Sequence, residues 1–521
     1  MKTVIIGIDS ASWDIVDSLI KKGKLPNIQS LLSSGGSFAK MQSTQPPITP
    51  ASWNSMITGV NPGKHGVIDF VELDRKTLNI VPVSSNSLRV KTLWKILNEN
   101  GYKVGVVNFP STYPPYEVDS FFISGFPAPA HGDYAYPARL LEYLKKSDYR
   151  IHPKVQFKRD GEKEYFEDVK RLTDLQSQTA IDLMDAEEWD LFFIVFMGLD
   201  WIQHTMWDYE LSPGVGAVEY FYEYLDEKIG SILGHVQKED GVIIVSDHGM
   251  KEIKGEISTN NLLENWGYLK RKEINQSFRQ RIKKMVFSVV DRAPKGIKSK
   301  VKKIAPGSIR TRILRSRNPL YNINTMIDWD NTTAFSYGFS GKIYINSKKN
   351  YPFGIVNQEE YGWLRDEIIA RLRKLSHPDT DEKVIGDIFT KDAVYGSNNT
   401  VGPDILFNSR NFDYTVRNVF NKEWIGSTKR KKADHQPDGI FIFKGNENRD
   451  VKNCRVEDFA PTVLSLFGID IPAYMDGKSL LKTGGKISDE ILHISKDESQ
   501  IAFSDVEEDE IKERLEDLGY L

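Results

Sequence analysis

Short runs of apolar residues recur along the chain, and amphipathic segments lie between them. The apolar runs occupy residues 3–9, 104–109, 191–197, 241–247 and 439–445. Continuous apolar runs of this length are typical of parallel strands that are buried on both faces. The amphipathic segments predict helices, for example at residues 14–22, 168–184 and 218–233. Strands that alternate with helices predict an open, mostly parallel α/β sheet flanked by helices.

The region at residues 265–400 breaks this pattern. Residues 270–320 contain 17 lysines and arginines against two acidic residues, and three prolines divide the segment into short pieces. We predict a basic, partly helical insertion or cap at 265–400, with residues 1–264 and 400–521 forming the α/β core. Within the insertion, residues 333–346 look like strand with a turn and could pair with the main sheet.

Composition adds few constraints. The chain has 521 residues, which is too long for one simple core, and its 40% hydrophobic and 27% charged residues are ordinary for a globular protein. The net charge of −3 indicates no particular partner. Cys454 is the single cysteine, which excludes an intramolecular disulfide and a cysteine-based metal cluster. Toward the C-terminus, helices are predicted at 456–468 and in the acidic tail at 505–521, which we expect to be solvated.

The hydrophobic pattern also bears on location. No stretch of about 18 apolar residues is present, so we expect no membrane-spanning helix. The apolar run at 3–9 is too short for a signal peptide, and we expect a cytoplasmic protein. Residues 270–320 could be a solvated cap, or could be attracted to an anionic surface, since residues 281–290 mix bases with apolar residues as interfacial helices do. Nucleic-acid binding is disfavoured, because no recognised module accompanies the charge.

Acidic residues lie at or just after the ends of three predicted strands. Asp9 ends the first strand, Asp200 follows the third, and Asp247 ends the fourth. Each of them alone would usually be a cap or turn residue. Because parallel strands end at one sheet edge, where ligands bind in such folds, three acids together indicate a site.

Histidines accompany these acids. His204 follows Asp200 by four residues, so both can lie on one face of a helix, and His248 stands beside Asp247. His435 is expected in a polar loop before the last strand, where a solvated loop histidine is the ordinary interpretation. Mixed imidazole and carboxylate ligands suit zinc, manganese or iron. Two ions require about six protein ligands, and a pair about 4 Å apart suits displacement at phosphorus.

Thr49 adds a possible nucleophile, since a hydroxyl that coordinates such an ion ionises more easily. Taken alone, Thr49 reads as the N-cap of a helix at residues 51–58, with Pro50 at the first helical position. The two interpretations are compatible, because a helix N-terminus favours an anion.

Several motifs together resemble a known family. They are GID at 7–9, PPITPASWNSMITGVNPGKHGV at 46–67, GLDWIQH at 198–204, SDHGM at 246–250 and ADHQPDGIF at 433–441. In these stretches the chain resembles the alkaline phosphatase superfamily, and most closely its type I phosphodiesterase/nucleotide pyrophosphatase branch. The resemblance implies an alkaline-phosphatase-like sheet that carries two divalent ions, zinc or manganese, at its carboxyl edge.

The resemblance also implies the roles of individual residues. One ion would be held by Asp9, Thr49, Asp247 and His248, and the other by Asp200, His204 and His435. Thr49 would attack phosphorus, the second ion would stabilise the leaving alcohol, and water would then hydrolyse the phosphothreonine.

The anion site departs from the family pattern. Ser52 stands where the nucleotide pyrophosphatases are expected to place an asparagine, and Pro50 has no N–H to donate. Ser52, Asn54 and Lys64 are candidate substrate-binding residues, as are Asn108 or Ser111 in the loop after the second strand. His65 could orient a ligand or could be a structural loop histidine.

The sequence therefore predicts a phosphoester hydrolase of the phosphodiesterase or nucleotide pyrophosphatase type. A small-molecule or lipid-linked phosphoester is the expected substrate, and sulfate esters stay open. The alternatives are a phosphomutase or phosphomonoesterase of the same superfamily, and a non-catalytic protein that binds an anionic surface.

Overall fold

The computed structural model describes most of the chain. The described residues are 2–75, 77–272, 326–397, 402–428, 431–445, 451, 453–482, 484–490 and 503–517. Apart from its first three residues, the basic segment at 270–320 lies outside them, together with the proposed interfacial segment at 281–290. Among the described residues, no helix is both long enough and apolar enough to cross a membrane.

A nine-stranded sheet forms the centre of the fold. Its strands in chain order are β1 (Thr3–Ile8), β2 (Ser37–Gln42), β5 (Val104–Phe109), β6 (Ser120–Ser124), β7 (Ala135–Tyr136), β8 (Leu191–Phe196), β11 (Gly241–Val245), β21 (Asp438–Lys444) and β22 (Cys454–Arg455). Their order across the sheet is β22-β2-β21-β11-β1-β8-β5-β6-β7. The sheet confirms the predicted α/β class.

The middle of this sheet is parallel. β1 pairs with β11 and with β8, so Thr3 lies beside Gly241 on one side and beside Leu191 on the other. Every residue of β1, β5, β8 and β11 is buried, as their continuous apolar sequences predict. The prediction is wrong for β21, which runs antiparallel to β11 and to β2. A continuous apolar run reports burial on both faces but carries no information about strand direction.

Helices flank the central sheet. Their bounds are α1 (Trp13–Lys21), α2 (Pro26–Ser33), α3 (Thr49–Thr58), α4 (Pro62–His65), α5 (Leu93–Glu99), α6 (Arg139–Lys146), α7 (Glu162–Ala186), α8 (Gly198–Met206), α9 (Ala217–Leu233), α10 (Thr259–Asn265), α11 (Gln358–Lys374), α12 (Lys391–Tyr395), α13 (Phe459–Leu466) and α14 (Asp505–Asp517). Short 3₁₀ segments lie at Ser85–Ser87, Trp329–Asn331, Arg410–Phe412 and Val456–Asp458. The predicted helices are present, although α14 is not fully solvated, because Ile511 and Leu515 are buried.

The remaining strands form small sheets. They are β3 (Val71–Leu73), β4 (Ile80–Pro82), β9 (Glu210–Ser212), β10 (Val215–Gly216), β12 (Gly249–Glu252), β13 (Gly255–Ser258), β14 (Ala334–Phe335), β15 (Gly341–Ile345), β16 (Ile385–Thr390), β17 (Ile405–Ser409), β18 (Tyr414–Arg417), β19 (Ile425–Gly426), β20 (Ala433–Gln436), β23 (Ile471–Pro472) and β24 (Ile487–Ser488). Three strands from the predicted insertion, β14, β15 and β16, form a separate four-stranded sheet with β17, which lies just beyond it, in the order β14-β15-β17-β16. The predicted pairing of residues 333–346 with the main sheet is therefore wrong.

A buried ion pair connects the four-stranded sheet to the core. The ammonium of Lys342, on β15, contacts the carboxylate of Asp69, and both side chains are buried. The backbone N–H of Phe339 donates to the same carboxylate at 2.6 Å. These contacts hold the start of β15 against the segment that follows α4. The division into a core and an insertion at residues 265–400 stays a prediction.

Candidate active site

The strand-end acids converge at one edge of the central sheet. Asp9 directly follows β1, Asp200 lies in the first turn of α8 after β8, and Asp247 lies two residues after β11. Because these three strands are parallel neighbours, their carboxyl ends meet. All three carboxylates are fully buried. Burying a charged carboxylate is costly unless a group of opposite charge lies next to it. Three buried carboxylates are therefore a first indication of a cation site.

Two groups of potential metal ligands form there. One consists of Asp9, Asp247 and His248, and the other of Asp200, His204 and His435. Within each group, one donor atom from every residue lies within 4.8 Å of the others. The i, i+4 spacing on α8 brings Asp200 and His204 together, as predicted, with Oδ1 and Nε2 3.4 Å apart.

His435 does not lie in a loop, as the sequence had suggested. It is on β20, which pairs antiparallel with β12, so His435 stands opposite Met250. β12 begins directly after His248, and this pairing brings the two histidine rings into a stack with centroids 3.8 Å apart. The pairing of β20 with β12 therefore joins the second ligand group to the first.

Thr49 lies inside the first group. Its Oγ1 is 3.3 Å from Nε2 of His248, and the side chain is fully buried. Ile48 has an extended backbone and caps α3, so Thr49 is the first helical residue and Pro50 the second. The N-cap assignment was wrong by one position, but Thr49 still lies at the positive end of the helix dipole.

The carboxylates of the first group keep one oxygen each for a cation. Oδ2 of Asp9 accepts a hydrogen bond of 2.8 Å from the indole N–H of Trp53, and Oδ1 of Asp247 accepts one of 3.3 Å from the N–H of Ser10. Within the described part of the chain, the other oxygen of each carboxylate has no hydrogen-bond partner. Burial and the neighbouring carboxylates raise the pKa of Asp9 well above its usual value. Among the described residues, no lysine or arginine forms an ion pair with either carboxylate.

The histidines are held in one tautomer. Each Nδ1 faces a backbone carbonyl, which can only accept a hydrogen bond, so Nδ1 carries the proton and Nε2 presents a lone pair. The pairs are His204 with Ala433 at 2.9 Å, His435 with Pro47 at 3.1 Å and His248 with Gly249 at 3.1 Å. Burial lowers the pKa of His204 to about 4, which favours the neutral ring that binds metals.

Two of these lone pairs face each other. Nε2 of His204 and Nε2 of His435 are 3.0 Å apart, and Nε2 of His435 is 3.4 Å from Oδ1 of Asp200. Two imidazole nitrogens and a carboxylate oxygen that lie this close together can bind one cation in common. The donor set therefore fits a divalent ion of the kind that binds imidazole and carboxylate.

The predicted substrate-binding residues make structural contacts. The hydroxyl of Ser52 lies 2.6 Å from that of Ser43, and the amide of Asn54 donates to the carbonyl of Pro50 at 2.7 Å. The ammonium of Lys64 contacts Asp476 in an ion pair. Their assignment to substrate binding stays a prediction, although each polar group already has a partner in the fold.

The end of β5 and the loop after it offer further candidates. Asn108, which the structure places within β5, and Ser111, in the loop, both adopt positive φ, at 60° and 58°, and both are buried. The amide of Asn108 donates to the carbonyl of Val195, while Oγ of Ser111 has no hydrogen-bond partner among the described residues. β5 is parallel to β8, so this loop follows the same sheet edge as Asp200. Ser111 can therefore offer a hydroxyl to an anion there.

His65 has a structural role in this arrangement. The N–H of Val67 donates to Nδ1 of His65 at 3.2 Å, which leaves the proton on Nε2 to bond the hydroxyl of Ser55 at 2.9 Å. Neither contact is to a candidate metal ligand. Trp53, which was not predicted from the sequence, does contact a candidate metal ligand, because its indole N–H donates to Asp9. Trp53 follows Thr49 by four residues, so the two lie on one face of α3, and this spacing could have indicated it.

The chain resembles known proteins in sequence and in fold. A model of the family described as type I phosphodiesterase / nucleotide pyrophosphatase matches residues 3–396. No curated protein matches the chain.

Three similar solved structures show how far the likeness extends. Phosphonoacetate hydrolase from Sinorhizobium meliloti 1021 in complex with phosphonoformate is 14% identical, with 88% of this chain and 94% of that chain covered and a TM-score of 0.54. The same enzyme with phosphonoacetate is 13% identical over the same shares, with a TM-score of 0.55. Murine ectonucleotide pyrophosphatase / phosphodiesterase 5 is 13% identical, with 90% of this chain and 95% of that chain covered and a TM-score of 0.46. The hydrolase structures show a shared fold.

Proposed function

Because the chain belongs to the type I phosphodiesterase/nucleotide pyrophosphatase family of the alkaline phosphatase superfamily, we propose that it hydrolyses phosphoesters with two bound divalent ions and Thr49 as nucleophile. Hydrolysis of phosphoric esters is the activity of the family. The use of two ions, zinc or manganese, and the threonine nucleophile are inferences about this chain. The substrate class is a small phosphoester, and a lipid-linked one is a narrower possibility that rests only on the composition of residues 270–320.

One observation supports the proposal above the others. Three imidazole lone pairs and three carboxylates point into the same buried edge of the sheet, and the hydroxyl of Thr49 lies among them. Divalent ions bound there would supply Lewis acidity, which polarises phosphoryl oxygens and eases ionisation of a hydroxyl. Asp9, Asp247 and His248 would hold the ion nearer Thr49, and Asp200, His204 and His435 would hold the other.

The chain's own residues then account for the chemistry. Oγ1 of Thr49 forms a bond to phosphorus while the bond from phosphorus to the leaving oxygen breaks, and the leaving alcohol takes up the proton that Thr49 loses. Thr49 starts a ten-residue helix, so the helix dipole favours the negative charge that develops on the phosphoryl group. Water then cleaves the phosphothreonine and restores the hydroxyl.

The experiment that tests this proposal is a quenched reaction with bis-p-nitrophenyl phosphate. Protein loaded with zinc or manganese should release p-nitrophenol and, after acid quench and proteolysis, yield a peptide that carries p-nitrophenyl phosphate on Thr49. Turnover without any modified peptide would contradict the covalent step. The absence of turnover with metal bound would contradict the hydrolase itself.

The same assay separates the alternatives. A phosphomutase would convert a suitable monoester into its isomer and release little free phosphate, whereas a hydrolase transfers the phosphoryl group to water. A protein that only binds an anionic surface would turn over neither substrate.

A further inference from the structure

A cleft opens beside the second ligand group. It is open to solvent and has a cavity volume of about 50 Å³, and His435 lines it together with the residue that precedes Thr49, Ile48. The carbonyl of Pro47, which also lines the cleft, accepts the hydrogen bond from Nδ1 of His435. The cleft therefore lies next to the start of α3, where Thr49 is located. It also lies next to the second ligand group, which would hold the ion that stabilises the leaving alcohol.

The far wall of the cleft comes from the four-stranded sheet and the segments next to it. Its aromatic lining residues are Phe339, Phe407, Phe412 and Tyr414. Phe339 and Phe407 are buried, whereas Phe412 and Tyr414 are only partly buried. Partly exposed rings at the rim of a cleft offer apolar area to a ligand without losing their own packing.

Among the described residues, the two oppositely charged side chains that line the cleft form an ion pair. Lys431 and Asp434 both line it, and Nζ of Lys431 is 3.2 Å from Oδ1 of Asp434. The same ammonium lies 5.8 Å from the centre of the Phe339 ring. An anionic group in this cleft would therefore meet a lysine whose charge is already matched by a carboxylate.

The backbone at Phe412 is strained. Phe412 has φ of 58° and its neighbour Asn411 has φ of 52°, a region that bulky residues rarely adopt. The surrounding contacts enforce it: Lys251 donates to the carbonyl of Asn411 at 2.6 Å and pairs with Asp413 at 2.7 Å. Strained backbone is common where a protein holds a ligand. Here the strained residue is Phe412, and it lines the cleft.

We propose that this cleft binds the leaving alcohol of a phosphodiester, and that this alcohol carries an uncharged aromatic group that packs against Phe412. The inference rests on the proposed function and narrows it to diesters rather than pyrophosphates. When Thr49 bonds to phosphorus, the bond to this alcohol breaks, and the alcohol departs with the proton that Thr49 loses. A pyrophosphate leaving group would instead bring several negative charges into a cleft whose described lining side chains, Lys431 and Asp434, already balance each other.

The test uses two substrates that transfer the same group and differ only in what leaves. They are the p-nitrophenyl ester of thymidine 5′-phosphate, which releases p-nitrophenol, and thymidine 5′-triphosphate, which releases pyrophosphate. The variant is Phe412→Gly, because glycine adopts the positive φ without strain and removes only the ring. Its melting temperature should equal or exceed that of the wild type.

We expect Phe412→Gly to lower kcat/KM for the p-nitrophenyl ester about tenfold, mainly through KM, which is the scale of one lost aromatic contact. The triphosphate should change by less than about twofold, and Phe412→Tyr should retain the wild-type preference. The control is Phe353→Gly, which removes an exposed phenylalanine that does not line the cleft and should leave both rates unchanged. An equal fall for both substrates, or a fall for the triphosphate alone, would overturn the proposal.

A binding measurement keeps the inference separate from the proposed function. If the metal-loaded wild type turns over neither nucleotide nor bis-p-nitrophenyl phosphate, the hydrolase function fails. Saturation-transfer NMR of p-nitrophenol with the metal-loaded protein then tests whether the cleft binds an aromatic group. The proposal is supported if the wild type and Phe353→Gly bind p-nitrophenol and Phe412→Gly does not. It is overturned if the wild type does not bind p-nitrophenol, or if the wild type and both variants bind it equally.

Discussion

Nε2 of His204 and Nε2 of His435 lie 3.0 Å apart, although the two residues come from a helix and a strand that are 231 positions apart in the chain. Each ring donates its other nitrogen's proton to a backbone carbonyl. The two lone pairs therefore face each other in a buried site, which suits a cation that both nitrogens bind.

Removal of one ligand should remove one ion. His204→Ala or Asp200→Ala should lower the bound metal by about one equivalent, because the second group loses a donor while the first stays intact. Inductively coupled plasma mass spectrometry of reconstituted protein measures this directly. His235→Ala is the control, since His235 forms a partly exposed pair with Asp185 instead. Unchanged stoichiometry in both ligand variants would refute the assignment.

Thr49→Ala should abolish turnover while leaving the fold and nearly all of the bound metal in place. We expect kcat for bis-p-nitrophenyl phosphate to fall at least about a thousandfold, as with other lost nucleophiles. Thr49→Ser keeps a hydroxyl at the start of α3 and should retain measurable activity. A Thr49→Ala protein with the full rate would show that the covalent mechanism is wrong.

Trp53 should act as a positioning residue for Asp9. Trp53→Phe removes the indole N–H that holds Oδ2 of Asp9 but keeps a ring against Phe109 and Phe193. Loss of such an orienting contact should weaken one of the two metal equivalents about 10- to 100-fold, measured by competition with a chelator.

The matched control for this change is Trp94→Phe. Trp94 packs on the same Phe109, but its indole nitrogen has no hydrogen-bond partner within the described residues. Its replacement should therefore leave both metal affinities unchanged. Equal effects of the two tryptophan variants would mean that ring packing, and not the hydrogen bond to Asp9, sets the affinity.

The buried pair of Asp69 and Lys342 should be important for stability. Lys342→Met leaves the Asp69 carboxylate buried without its cation, which should lower the free energy of unfolding by about 3–5 kcal/mol in urea titrations. Adding Asp69→Asn removes that uncompensated charge and should restore part of the loss. Lys24→Met breaks a partly exposed pair with Glu223 and should cost no more than about 1 kcal/mol. Equal losses for Lys342→Met and Lys24→Met would contradict this account.

Much of the fold could be predicted because its signals are local. Each central strand is a continuous apolar run, and each long helix repeats its apolar residues with the helical period. The strand-end acids followed from the same reasoning, since parallel strands must end at one edge. The spacing of Asp200 and His204 was informative because four residues make about one helical turn.

The remaining features depend on contacts between distant segments. Strand direction in β21, the placement of His435 on β20 and the separate four-stranded sheet are all set by pairing partners, which an apolar pattern does not specify. Lys64 illustrates the same limit. The sequence offers Lys64 as a candidate anion contact, but its ammonium pairs with Asp476, which is more than 400 positions away in the chain.

The sequence alone was enough to identify the candidate site residues, because motif spacing and strand ends single out three acids, three histidines and Thr49. The contacts that orient these side chains became known only from the folded structure. The carbonyls of Pro47 and Ala433 select the histidine tautomers, Trp53 orients Asp9, and Phe412 faces the cleft. Hydrogen bonds of this kind require atoms from distant parts of the chain to meet within about 3 Å, and no local pattern in a sequence encodes that distance.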